Sequence, residues 1–143
     1  MNRMGDELAA LRHANERFYK ALESLDIEAM GGLWLHESWA RCVHPGWEML
    51  SGWPAIRRSW ERIFANTNWI RVTPTSVELA AIGEIGIVTC SENISASREG
   101  DVGLAVAQAT NLYKLGPDGW RMFHHHASPA PVQVTQPFTG IVQ

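Results

Sequence analysis

The segment Trp120-Arg121-Met122-Phe123-His124-His125-His126-Ala127-Ser128-Pro129 is the most informative part of the sequence for the fold, and it holds three of the six histidines. The histidine run is short and lies inside the chain, so it is not a purification tag. Its aromatic and apolar residues predict a β-strand, in which successive side chains point to opposite faces. His124 and His126 therefore share one face, and His125 lies on the other.

The same alternation predicts which face of this strand is turned to the interior. Trp120 and Met122 share the face of His124 and His126, and because they are the larger apolar pair we expect that face to be the inner one. A β-bulge near the histidines would change the face partway along the strand. Without a bulge, at most two of the three histidines can serve one pocket.

The residues before this strand predict three more strands, over about residues 70–81, 85–97 and 104–115. The segment Gly116-Pro117-Asp118-Gly119, directly before the histidine strand, is typical of a hairpin turn. Consecutive strands joined by short turns predict an antiparallel meander.

The first part of the chain is predicted to be helical. Apolar residues three, four and seven apart predict an amphipathic helix over about residues 5–25, and Asn15 falls on its apolar stripe. Asp26 is typical of the cap of a second, short helix that reaches about residue 34.

A short strand and a third helix follow. The strand is predicted over residues 39–44, and Ser51 or Trp53 is expected to cap a helix whose first turn holds Pro54. Because the helices precede the long strands, we expect an α+β domain with the helices on one face of the sheet. The domain is predicted to span residues 1–130, with an irregular tail over 131–143.

Composition excludes several classes of partner. The net charge of -3 gives no electrostatic footprint for nucleic acid or an anionic membrane. No apolar stretch is long enough to span a bilayer, and the N-terminus has no basic region followed by an apolar run. We therefore expect a cytoplasmic protein without nucleic-acid or membrane partners.

Tryptophan is concentrated in one part of the chain. Six of the seven tryptophans lie between residues 34 and 69: Trp34, Trp39, Trp47, Trp53, Trp60 and Trp69. Large aromatic side chains either fill a core or line a concave site. Their number here favours an aromatic-lined site in addition to core filling.

Several short motifs, taken in this order, point to a known family. The segments that carry the match are Leu33-Trp34, Cys42-Val43-His44-Pro45-Gly46-Trp47, Gly52 with Ala55-Ile56 and Trp60, Thr110-Asn111-Leu112-Tyr113 and residues 119–129. Together they resemble the nuclear transport factor 2-like superfamily, and within it the SnoaL-like branch. The closing strand also resembles the association domain of calcium/calmodulin-dependent kinases.

The resemblance implies a cystatin-like cone, in which three N-terminal helices pack on a strongly curved, mostly antiparallel sheet. It also implies a pocket between the helices and the sheet, and a homodimer formed through the outer sheet face. This fold hosts many unrelated activities, so the resemblance leaves the function open.

We expect an aromatic-lined pocket for a small, largely apolar ligand, built from Trp34, Trp47, Trp60, Glu92, Asn111 and Tyr113. The first alternative is a non-catalytic dimerisation or assembly module. The second is an isomerase, cyclase or dehydratase that needs no cofactor and uses pocket histidines as acid and base.

The candidate catalytic residues are His44, His124 and His126, because imidazole exchanges protons near neutral pH. Glu92, on a strand with apolar neighbours, is the best candidate for the carboxylate base that isomerase and cyclase relatives use. The alternative role of the histidines is structural, as hydrogen-bonded strand residues that tie the sheet end to a neighbour.

No metal site is predicted. His124 and His126 could chelate an ion and His44 could add a third ligand. However, relatives of this branch are not generally metal proteins, and the two cysteines, Cys42 and Cys90, form no CxxC motif.

Overall fold

Helices occupy the first half of the chain and long strands the second. A computed structural model describes residues 3–132. Its elements are α1 (Arg3–Ser24), α2 (Ile27–Gly31), β1 (Arg41–Val43), β2 (Leu50–Ser51), α3 (Trp53–Ala65), β3 (Trp69–Ile82), β4 (Ile85–Arg98), β5 (Asp101–Gly116) and β6 (Gly119–Ala130). Most of the tail predicted over 131–143 lies outside the described residues.

The six strands form one sheet in the order β2-β1-β6-β5-β4-β3. The four long strands make the predicted antiparallel meander, and β1 is the exception, because it runs parallel to β6. This pairing places Cys42 opposite His125 and Val43 opposite His126. The segment that carries His44 is thereby brought beside the histidine strand, and the predicted α+β fold is confirmed.

One stripe of α1 is buried against the sheet. Leu11 and Phe18 are each 0% exposed, and burying such a side chain contributes about 1.5–3 kcal/mol. Where α1 crosses β4, Gly86 permits the close approach, since a Cβ at this position would lie 2.7 Å from Cδ1 of Leu11. The helix that carries Asn15 is thus held tightly over the inner face of the sheet.

The two shorter helices differ in how they begin. Asp26 caps α2 as predicted, its Oδ1 accepting hydrogen bonds from the backbone nitrogens of Glu28 at 2.9 Å and Ala29 at 3.3 Å. The cap predicted for α3, Ser51 or Trp53, is wrong. Gly52 takes that position with φ of 86°, a conformation that glycine adopts without strain.

A β-bulge in β6 decides which histidine faces the interior. Met122 pairs with Tyr113 and His124 pairs with Leu112, which leaves Phe123 as the extra residue. The expectation that His124 and His126 point inward is therefore wrong. The extra residue reverses the alternation, and His125 joins Met122 on the inner face.

Within residues 3–132, no helix combines the length and the apolar character that crossing a bilayer would require.

Candidate functional site

A cavity of about 460 Å³ lies between α1, α3 and the inner face of the sheet, a size typical of small-molecule sites. Its walls are mainly apolar and include Leu22, Trp47, Trp60, Ile63, Ile70, Val72 and Ile94. Arg98 and Asp101, from the ends of β4 and β5, also line it. Three buried titratable side chains also line the cavity, and we call them the polar triad: His44, Glu92 and His125.

Each member of the polar triad comes from a different part of the sheet. His44 follows β1, Glu92 lies on β4 and His125 lies on β6, and each is only 3% exposed. The ring centroids of the two histidines are 6.4 Å apart. Buried titratable groups gathered in an apolar cavity are a frequent property of functional sites.

His44 is held by hydrogen bonding on one side and by aromatic rings on two others. Its Nε2 lies 2.8 Å from Oγ of Ser59, on α3. The rings of Trp47 and Trp60 meet it edge-on, with centroids at 4.8 and 4.6 Å. Burial lowers the pKa of His44 to about 4, so its ring is neutral at pH 7.

A chain of hydrogen bonds joins Glu92 to His125. The hydroxyl of Tyr19 donates to Oε2 of Glu92 at 2.6 Å, and Nδ2 of Asn111 donates to that hydroxyl at 3.1 Å. Oδ1 of Asn111 lies 2.6 Å from Nδ1 of His125. Two members of the polar triad are therefore linked through two residues, Tyr19 and Asn111.

Asn15 supports this chain from behind. Its Oδ1 accepts hydrogen bonds from Nδ2 of Asn111 at 3.0 Å and from the hydroxyl of Tyr113 at 2.8 Å. These bonds explain a polar residue on the apolar stripe of α1, because a buried amide without partners would be destabilising. Asn15 thus fixes Asn111, which in turn holds His125.

Burial acts in opposite directions on the acid and on the histidine. It raises the pKa of Glu92 to about 7, against the opposing effect of the hydrogen bond from Tyr19. It lowers the pKa of His125 well below the usual range, with smaller contributions from His44, His124 and His126. Near pH 7 the cavity therefore offers neutral imidazoles and a carboxyl present in both its acid and its base form.

The structure brings together only some of the residues predicted for the pocket. His44, Trp47, Trp60 and Glu92 line the cavity. Asn111 is fully buried behind His125, and Tyr113 lies further back against Asn15. Trp34 is also fully buried, and its ring packs beside that of Trp53 at 5.9 Å.

His124 and His126 lie away from this cavity. They point to the outer face of the sheet, where their ring centroids are 6.2 Å apart beside a shallow depression of about 550 Å³. Within residues 3–132, no three His, Cys, Asp or Glu side chains are grouped so that they could hold a metal ion.

Sequence reasoning missed Tyr19, Ser59 and His125 as site residues. Tyr19 follows Asn15 by four positions and so lies on the same side of α1, which was a usable signal. Ser59 stands beside Trp60 on the buried side of α3, but a serine there has no pattern of its own. His125 was missed because the bulge at Phe123 is not visible in the alternation.

Three helices over the concave face of one curved sheet, with buried polar groups in an apolar cavity, define a class of cone-shaped α+β domains. Comparison with known proteins agrees with this class. The chain belongs to the SnoaL-like domain family, whose model matches residues 11–133. The family resemblance predicted from the sequence is confirmed.

The proteins to which this chain is similar include two solved structures and one curated protein. A Streptomyces avermitilis protein, provisionally named a dehydratase from the NTF2-like family, is 36% identical, with a TM-score of 0.85 and coverage of 90% of this chain and 99% of that one. A Thiobacillus denitrificans protein, provisionally named a calcium/calmodulin-dependent protein kinase type II association domain, is 29% identical, with a TM-score of 0.72 and coverage of 82% and 93%.

The curated protein is the F-box protein SKIP8 of Arabidopsis thaliana, 24% identical over 119 residues that make up 83% of this chain and 49% of that protein. The chain therefore spans about half the length of this relative.

Proposed function

We propose that the protein binds a small, largely apolar, uncharged molecule in the cavity and moves a proton on it without a cofactor, as a dehydratase or isomerase does. The observation that carries the proposal is the polar triad: three titratable side chains, each 3% exposed, in a cavity with mainly apolar walls. The 36% identity to a protein provisionally named a dehydratase favours the lyase form of this chemistry.

Each member of the polar triad has a role in such a reaction. The neutral imidazole of His125 takes a proton from a carbon next to a carbonyl group, and the ring of His44 lies beside it, with centroids 6.4 Å apart. Glu92 in its protonated form returns a proton, to the leaving hydroxyl in a dehydration or to another carbon in an isomerisation. A carboxyl with a pKa of about 7 suits this exchange, and one such group contributes about 10²–10⁴-fold to a rate.

The proposal is tested by binding and by hydrogen exchange on one probe, 2-tetralone, a neutral bicyclic ketone. Binding is followed through the fluorescence of Trp47 and Trp60, and the exchange of its acidic carbon-bound hydrogens in D2O by NMR. Glu92→Gln should slow the catalysed exchange by about 10²-fold, within the range for loss of an acid–base group. The matched control Glu78→Gln, at an exposed position on β3, should leave it unchanged.

Two results would count against the proposal. Failure of 2-tetralone and of related neutral bicyclic ketones and alcohols to bind at millimolar concentration would show that the cavity does not accept this class of ligand. Binding without exchange above the buffer rate would show that the protein binds the molecule but does not catalyse proton transfer on it.

We also propose that two copies of the chain associate through the outer face of the sheet. Among the described elements, the helices pack on the inner face, so the outer face of β4, β5 and β6 is left uncovered. The 29% identity to a protein provisionally named an association domain supports an assembly role. Light scattering at micromolar concentration should give twice the chain mass, and Thr110→Arg, in the depression on this face, should give one chain mass. A monomeric unmodified protein would contradict it.

A cytoplasmic location is part of the same proposal. Its support is that Cys42 and Cys90 are both free and buried, as expected of thiols in a reducing compartment.

A further inference from the structure

We propose that the cavity selects ligands that present hydroxyl hydrogens, because Asn111 and Ser59 fix the protons of both imidazoles and leave each ring a lone pair for the ligand. The inference rests on the proposed function, since it names the class of molecule that the same cavity accepts. It assigns the selection to two residues, neither of which is a member of the polar triad.

The proton of His125 is fixed by the hydrogen bonds of Asn111. The amide nitrogen of Asn111 donates to Asn15 and to Tyr19, at 3.0 and 3.1 Å. The reverse orientation of the amide would set its carbonyl oxygen against that of Asn15. Oδ1 of Asn111 therefore faces His125 as an acceptor, at 2.6 Å, and the hydrogen must lie on Nδ1 of the imidazole.

The other nitrogen of His125 is left for a ligand. A neutral imidazole carries one N–H, so a hydrogen on Nδ1 makes Nε2 a lone-pair acceptor. Nε2 has no hydrogen-bond partner within residues 3–132. Since His125 lines the cavity, we infer that a molecule inside it is the partner of this acceptor.

The proton of His44 is fixed in the opposite way. The hydroxyl of Ser59 gives its single hydrogen to the carbonyl oxygen of Ile56 at 2.6 Å, so it can only accept from Nε2 of His44 at 2.8 Å. Nδ1 then carries no hydrogen, and its lone pair is left for the ligand. Sγ of Cys42 lies 4.0 Å from Nδ1 and 3.8 Å from Nε2, and these near-equal distances place it beside the ring, off the lone-pair direction.

Charge in the cavity disfavours an anionic ligand. Within residues 3–132, Arg98 is the single Lys or Arg that lines it, whereas Glu92 and Asp101 are acidic. A carboxylate or phosphate placed against the polar triad would lose its water and meet the Glu92 carboxyl, whereas the Arg98 cation is exposed at the end of β4. An uncharged molecule with hydroxyl groups satisfies both lone pairs at no such cost.

An ether with the shape of such a ligand has no hydroxyl hydrogen to donate, so the lone pairs of His125 and His44 stay unpaired. Sites built around a ligand hydroxyl reject analogues that lack it, because their own buried polar groups are then unpaired. The discrimination is therefore expected to depend on Asn111 and Ser59, which hold the two rings, and not on the apolar walls.

The test compares three probes of one shape: 2,7-dihydroxynaphthalene, its dimethyl ether and naphthalene-2,7-dicarboxylate, titrated at pH 7.5 by calorimetry. We expect the diol to bind at least tenfold more tightly than the ether, and the dicarboxylate to bind most weakly. Asn111→Leu and Ser59→Ala should each reduce the preference for the diol several-fold while the affinity for the ether changes less than threefold. Asn93→Leu, an exposed asparagine on β4, is the matched control and should keep the preference.

The outcomes separate this inference from the proposal on which it rests. If diol and ether bind equally well, the inference is wrong and the apolar cavity stands; if no probe binds, both are overturned. Should the variants fail to fold, nitrogen-15 NMR of the unmodified protein gives a second test. The ring hydrogen is expected on Nδ1 of His125 and on Nε2 of His44, and the reverse in either ring would overturn the inference.

Discussion

The two faces of β6 carry the same side chain in different surroundings. On the inner face His125 is 3% exposed and bonded to Asn111 at 2.6 Å. On the outer face His126 is exposed and His124 is half-buried, and the pKa of His124 is lowered by burial, with smaller effects from His126 and Arg41. Three adjacent histidines thus divide into a cavity residue and two surface residues.

The difference shows that position in the strand, and not residue type, assigns the role. Phe123 is the extra residue opposite β5, and it reverses the alternation between Met122 and His125. In a regular ladder that kept every residue, Phe123 would pair with Leu112 and His124 with Asn111. The bulge therefore decides which imidazole joins the polar triad.

The largest effect on stability is expected for Phe18→Ala on the inner face, and Phe123→Ala on the outer face is its counterpart. Phe18 is 0% exposed and packs on the rings of Tyr19 and His125, both with centroids at 4.9 Å. Phe18→Ala should lower the free energy of unfolding by about 3–5 kcal/mol. Phe123→Ala, which removes an edge contact with Trp39 on the outer side, should cost about 1 kcal/mol. Urea unfolding measures both, and equal losses would contradict the assigned faces.

The second prediction concerns the pH dependence of stability, which should differ between the buried carboxyl of Glu92 and the exposed carboxyl of Glu78. Burial raises the pKa of Glu92 from 4.5 in the unfolded chain to about 7, so the folded protein holds an extra proton between these values. Stability from this group is therefore present below about pH 4.5 and is lost as pH rises toward 7.

Glu92→Gln should abolish the loss of stability that the Glu92 carboxyl causes as pH rises toward 7. Relative to the unmodified protein, the variant should gain about 3 kcal/mol between pH 4.5 and pH 8 in urea unfolding. His44 contributes with the opposite sign, since its pKa is lowered, but it is present in both proteins and cancels in the difference. Glu78→Gln, on the outer side, is the control, and a Glu92→Gln difference that is flat with pH would contradict the burial of this acid.

A smaller effect is expected when the extra residue itself is removed. Deleting Phe123 leaves Met122 opposite Tyr113 and His124 opposite Leu112, which makes the strand regular without moving His125. We expect a loss below about 2 kcal/mol, from the contact with Trp39 and the altered bend. NMR should still show the Nδ1 hydrogen of His125 bonded to Asn111. An unfolded deletion variant, or a His125 ring open to water, would show that the bulge lies elsewhere.

The smallest effect is expected for His126→Gln. His126 is exposed, and substitutions at such positions usually change the free energy of unfolding by less than about 0.5 kcal/mol. Thermal unfolding at one pH is sufficient to measure it. A loss above about 1.5 kcal/mol would indicate that the outer histidines have a structural role.

Much of the fold could be predicted from the sequence because its signals are local and repeated. The alternation of the four long strands, the hairpin at Gly116–Gly119 and the cap at Asp26 each depend on a few neighbouring residues. The parallel pairing of β1 with β6 could not be read in this way, because it joins residues about 80 positions apart through three ladder pairs.

The site was predictable only in part. His44, Trp47 and Trp60 were indicated by composition, and Glu92 by its strand. Asn15 stands out in the sequence as a polar residue on the apolar stripe of α1. Its partners, Asn111 and Tyr113, could not be predicted because they lie nearly a hundred residues away. The bulge has no residue-type signature here, so the alternation pointed to the wrong histidines.

The division of the three histidines between cavity and surface can be tested in one assay. His125→Gln, His124→Gln and His126→Gln are each measured for the catalysed exchange of the acidic hydrogens of 2-tetralone in D2O. We expect His125→Gln to slow the exchange by about 10²–10⁴-fold and the other two variants to stay within about twofold of the unmodified protein. An unchanged rate in His125→Gln, with a loss in His124→Gln or His126→Gln, would contradict this division.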